Sequence, residues 1–171
     1  ADVVSFGVAP AMIIYQFLRL SYAQEDGGVE ISLFWLVPVF VLPCAAAWRL
    51  ARFNLDASQS FSFKGLPVPE VGLLVASLPL IYWNVNAPWV YNLLFNKWFL
   101  YGLVLVLSYL MISTIPLMAM KFKDYSWQNN LPRYLLIVIA VLAIVLLKWL
   151  SVPVIVLAYV LLSLLFKNKI A

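Results

Sequence analysis

The stretch Trp48-Arg49-Leu50-Ala51-Arg52-Phe53-Asn54 closes an apolar run that begins near Ile31 and carries no charge before Arg49. A run of about 20 apolar residues is long enough to cross a bilayer as one helix, which places the two arginines at a membrane boundary. Three apart on a helix, they share one face. They read in two ways: as interfacial anchors, or as a fork that grips phosphate or carboxylate more selectively than a lysine pair would.

The rest of the chain extends the membrane reading. Of 171 residues, 65% are hydrophobic and 11% charged, where a soluble domain is about half apolar and about a quarter charged. Mean hydropathy is +1.00, so lipid is the solvent for most of the surface. The formal charge is +4, and in a membrane protein the position of basic residues carries more information than their sum. They are scattered between apolar runs rather than clustered on a soluble face, so nucleic-acid binding is a poor explanation of the basicity. With no histidine, His-based triads, His-ligated haem and His-containing zinc sites are excluded. The one cysteine, Cys44, cannot form an intrachain disulfide and is expected as a small core residue. Chemistry therefore rests on carboxylates, Arg and Lys, hydroxyls or an oxygen-bound metal. Ala1-Asp2 at the start lacks the basic stretch of a signal peptide, and the chain is expected to be part of a longer protein.

Six apolar runs are expected as crossings: Val3 to Tyr22, Ile31 to Phe53, Val71 to Val85, Trp98 to Met118, Tyr134 to Leu147 and Val152 to Phe166. The fold class is thus an all-α, polytopic membrane helix bundle, a single domain over 1–171. Its last two runs, within 132–171, form an accessory helical hairpin turned at Lys148-Trp149-Leu150-Ser151. The stretches Gln24 to Glu30, Asn54 to Lys64, Asn86 to Lys97 and Lys121 to Arg133 are expected as loops. Gly65-Leu66-Pro67-Val68-Pro69 makes a rigid re-entry, and Trp83, Trp89, Tyr91 and Trp98 an interfacial aromatic belt. With six crossings, eight of the eleven basic residues fall on one side, the cytoplasmic one by the positive-inside rule. On that side Asp2 begins the first helix while Arg49 and Arg52 end the second, so a carboxylate and an arginine pair meet at one membrane depth.

At this point the residues resemble a known family. Asp2-Val3-Val4-Ser5-Phe6-Gly7-Val8-Ala9-Pro10 is similar to the end of the CDP-alcohol phosphatidyltransferase signature, D-x2-D-G-x2-A-R-x8-G-x3-D-x3-D, in the form typical of its phosphatidylserine synthase branch. Arg49 to Asn54 followed by Lys64 to Pro69, and Tyr109 to Pro116, also resemble that branch, in the same order. Only the last of the four signature aspartates, Asp2, is present. The resemblance implies a complete protein of about eight membrane helices, six of them here, and this chain alone is expected to be inactive.

The resemblance further implies transfer of a phosphatidyl group from CDP-diacylglycerol to L-serine, with release of CMP. Asp2 is then the general base and a ligand of Mg²⁺ or Mn²⁺, whose other ligands lie upstream. Arg49 and Arg52 are the candidates to hold the serine carboxylate or a lipid phosphate, assisted by Asn54 and Lys64, and Ser5 lies one turn from Asp2. Membrane lipids, a homodimer and a cytoplasmic-facing site in a bacterial or archaeal membrane are expected by the same analogy. Sister enzymes using glycerol phosphate, inositol phosphate or choline would share the metal and base machinery. A transporter or scaffold would not, and the apolar runs lack the buried acids or paired broken helices of a transporter.

Overall fold

The computed structural model describes residues 1–26, 31–55, 62–118 and 127–166. The side chains of residues 25, 26, 62–64 and 127–129 lie outside that description. So do much of the acidic and serine-rich loops and Lys121, Lys123, Lys167 and Lys169 of the basic side.

The chain enters through a π-helical turn, Val4–Val8, that runs into α1, Ala9–Asp26. A short α2, Leu33–Leu36, passes through a tighter 3₁₀ segment, Val37–Phe40, into α3, Val41–Leu55. Pro38 lies in that segment, where its missing N–H removes a regular helical bond. Then follow α4, Val68–Asn84; α5, Pro88–Leu94; and α6, Lys97–Ile112. The chain ends with α7, Trp127–Leu147, a 3₁₀ turn and α8, Ser151–Leu165.

Six of these helices coincide with the six apolar runs, and they pack as a helical bundle. By length and apolarity alone, three stretches suffice to cross a membrane: Val4–Gln24, Leu33–Leu55 and Asn130–Leu165. A fourth is added if α5 and α6, bent by 65°, make one broken span, and α4 is a shorter apolar helix. The exposed surface of α7, including Ile137, Val138, Val141, Leu142, Ile144 and Val145, is a continuous apolar face of the kind that lipid covers. Trp83, Trp89, Tyr91 and Trp98 are also exposed.

Several boundaries differ from the sequence expectation, each for a local reason. α1 continues through Gln24 to Asp26 because nothing before Gly27 disfavours the helix. The aromatic stretch Asn86 to Lys97 contains α5, opened by Pro88 in its first turn, where a missing N–H costs nothing. α6 stops at Ile112 rather than reaching Met118, and Ser113 Oγ donates to Leu110 O at 2.9 Å. Arg133 lies within α7 rather than in a loop. Cys44 is exposed, not in the core, because α3 turns Leu42, Ala45, Ala46 and Arg49 inward instead.

The bundle is not purely helical. β1, Ser62–Lys64, pairs antiparallel with β2, Pro116–Met118, with Phe63 opposite Leu117. Beside this ribbon Gly65 takes φ 79° and donates its N–H to Ile115 O at 2.9 Å, and Leu66 N donates to Leu110 O at 2.9 Å. A Cβ on Gly65 would stand 2.6 Å from Met111 O and 2.7 Å from Ser113 O. Gly65→Ala is therefore expected to lose about 2 kcal/mol or more, from a disfavoured φ plus backbone collision. A fall in the thermal midpoint in detergent measures it.

Candidate active site

The N-terminal turn is held against two helices by small residues. Val4 N and Ser5 N both donate to Ala1 O at 3.0 Å, which closes the turn directly around Asp2. A Cβ on Gly7 would lie 3.0 Å from Ala46 Cβ, and one on Gly72 would lie 2.6 Å from Phe6 Cδ1. Small residues at both crossings let the turn sit close to α3 and α4. The carboxylate of Asp2 consequently stands near the last turns of α3.

Between them is a cavity of about 570 Å³, lined by Asp2, Arg49, Phe53, Asn54, Pro67 and Pro69 among others. Asp2 and Asn54 are exposed at it, whereas Arg49 is only 6% exposed. Arg49 Nε and Nη2 are buried without a hydrogen-bond partner, and its Cζ lies 6.0 Å from the centroid of the Phe53 ring. Leaving a buried charged donor unsatisfied is costly. A guanidinium with unspent donors beside a cavity is suited to an incoming carboxylate or phosphate. Asp2, at the same cavity, can accept a proton from a hydroxyl placed there.

The candidate residues do not all converge. Arg52 turns away: its Nη1 donates to Ile112 O at 3.1 Å, at the C-terminal end of α6, where cations are favoured. Arg52 lines a separate cavity with Trp48, Ala51 and Leu55. Ser5 is exposed and outside the lining of the Asp2 cavity. Lys64 has its backbone in β1, adjoining the short loop that leads through Pro67 into α4, and its side chain is outside the described residues. Asp2 can offer one oxygen ligand to a divalent ion. Among the described residues no group of three or more Asp, Glu, Cys or His side chains could hold one, so this stretch does not by itself fit a complete metal site.

Two residues escaped the sequence reading. Glu70, in the first turn of α4, has Oε2 buried without a hydrogen-bond partner and interacts electrostatically with Arg49. Tyr159 of α8 interacts electrostatically with the same pair and donates its hydroxyl to Met118 O at 2.9 Å. One turn on, Ser163 Oγ accepts from Met118 N at 3.2 Å. Two side chains of α8 thus satisfy both backbone groups of one ribbon residue. The signal for Glu70 was present in the sequence: an acid at the start of an apolar helix is a functional candidate by default.

Fold and cavity define a membrane helix bundle with a pocket lined by a buried guanidinium and a carboxylate. No protein-family model matches the chain. Over 146 residues, 81% of this chain, it is 32% identical to the CDP-diacylglycerol–serine O-phosphatidyltransferase of Helicobacter pylori strain J99, covering 52% of that protein. The enzyme of the same name from Mycobacterium leprae is 32% identical over 171 residues, 93% of this chain and 51% of that protein. An archaetidylserine synthase from Methanothermobacter thermautotrophicus is 32% identical over 117 residues, 67% of this chain and 40% of its own. The chain is similar to these phosphatidylserine synthases, and it spans about half the length of the first curated relatives it matches.

Proposed function

We propose that the full-length protein transfers the phosphatidyl group of CDP-diacylglycerol to the hydroxyl of L-serine, giving phosphatidylserine and CMP. The observation that carries this reading is the cavity joining Asp2 to the buried, donor-rich guanidinium of Arg49. Arg49 holds the acceptor's carboxylate, with Asn54 at the rim. The serine hydroxyl oxygen attacks the phosphatidyl phosphorus, the bond from that phosphorus to the CMP oxygen breaks, and the hydroxyl proton passes to the Asp2 carboxylate. Lys64, Ser5 and Arg52 stay in the proposal as assisting groups, Arg52 through the end of α6 that it holds.

Mg²⁺ or Mn²⁺ is proposed as cofactor, with Asp2 one ligand and the remaining ligands from outside residues 1–171; such an ion neutralises charge on a pyrophosphate. The lipid donor reaches the cavity from the bilayer, and the basic side of the bundle, with the cavity, faces the cytoplasm. A homodimer belongs to the same reading and is checked by the mass of the detergent-solubilised protein.

The test uses the full-length protein in liposomes with CDP-diacylglycerol and either ion. CMP release should depend on L-serine and stop on chelation with EDTA. Release driven instead by glycerol 3-phosphate, inositol phosphate or choline would move the acceptor, and release with none would overturn the reading.

A further inference from the structure

We propose that Glu70 is a specificity-determining residue of the acceptor pocket, favouring a zwitterionic amino-acid alcohol over an alcohol that carries a phosphate dianion. The inference rests on the function proposed above and concerns a residue outside the cavity lining. Glu70 follows Pro69, which lines the cavity, in the first turn of α4. Its Oε2 and the Arg49 Nε and Nη2 are all buried and without hydrogen-bond partners. The two side chains nonetheless interact electrostatically. Glu70 thus offsets the charge of Arg49 while leaving those donors unspent. Tyr159, which also interacts electrostatically with both, donates its hydroxyl to Met118 O.

The consequence for a ligand is one of sign. Among the described side chains around the pocket, one guanidinium stands with two carboxylates, Glu70 and Asp2. A monoanionic carboxylate that also carries an ammonium is attracted to Arg49 through one group and to the carboxylates through the other. A phosphate dianion gains from Arg49 but is repelled by Glu70, whose charge, unlike that of Asp2, no proposed metal ion offsets. Glu70 Oε2 and the free Arg49 donors are buried, where such interactions are weakly screened, and like charges set against a wrong partner are an effective means of rejecting it. Glu70 acts on the ligand through the field at Arg49, without touching it.

The experiment compares wild type, Glu70→Gln and Glu70→Asp of the full-length protein in liposomes, following CMP release with L-serine and with glycerol 3-phosphate. In Glu70→Gln the ratio of kcat/KM for serine to that for glycerol 3-phosphate should fall by about tenfold or more, mainly through KM. Inorganic phosphate should become competitive with serine, and Glu70→Asp should keep the wild-type ratio. Should Glu70→Gln fail to fold, Glu70→Met, an uncharged side chain of similar length, takes its place in the same comparison, and L-alanine and inorganic phosphate probe the wild type. L-alanine, a zwitterion without the hydroxyl, should raise the KM for serine more than phosphate does. An unchanged ratio in a folded Glu70→Gln, or phosphate competing better than L-alanine in the wild type, would overturn the inference while the serine reaction stood. A wild type without serine-dependent release would remove the proposed function and this inference together.

Discussion

Asp2→Asn should lower serine-dependent CMP release by about 10²–10⁴-fold, the range of a lost general base, and leave the thermal midpoint nearly unchanged. The separation follows from where Asp2 sits. Its side chain is exposed at the rim of the cavity, so no packing is lost. The turn around it is closed by backbone bonds from Val4 and Ser5 to Ala1, which asparagine keeps. CMP release and melting, measured on the same liposome preparation of the full-length protein, decide the matter. Near-normal turnover by Asp2→Asn would remove Asp2 from the chemistry.

Arg49 should behave in the opposite way, with stability and binding both affected. Arg49→Leu leaves Glu70 Oε2 buried beside an apolar side chain without the opposite charge that offsets it, and should lower the thermal midpoint because an uncompensated buried acid is costly. Removing both charges in Arg49→Leu/Glu70→Leu should recover most of that stability, because no uncompensated ion remains. It should not recover serine turnover, because the donors for the acceptor are gone. Arg49→Lys keeps the charge but loses the planar fork, so the KM for serine should rise by about tenfold while kcat falls less. Melting of the three variants, together with the KM of Arg49→Lys, separates anchor from receptor. An Arg49→Leu protein as stable and active as wild type would return this arginine to the anchor reading.

How much of this was readable beforehand varied with the kind of residue. The apolar runs marked the six helices because a bilayer-facing helix must be apolar over most of its length, and that is a local property of the sequence. The re-entry at Gly65 to Pro69 was equally local, since a positive φ calls for glycine. The two arginines were not separable in this way. At 3.6 residues per turn they lie about 60° apart around α3, close enough to share a face in the sequence. That angle is wide enough for Arg49 to be buried at the cavity while Arg52 reaches Ile112 O at 3.1 Å. Likewise the stretch Asn86 to Lys97 shows only aromatics and asparagines, and its short helix depends on Pro88 opening a turn within it.

By itself, then, the sequence determined a helical membrane protein and the meeting of Asp2 with the end of the second helix. These follow from hydrophobic length and from chain order, both of which are written along one dimension. Only the tertiary structure decided which arginine turns inward, that Glu70 stands behind it, and that Tyr159 and Ser163 of α8 hold Met118 by both its backbone groups. Those choices depend on the rotation of α3, α4 and α8 about their own axes. That rotation is set by small contacts between helices, such as Gly7 with Ala46 and Gly72 with Phe6, which no single helix encodes alone.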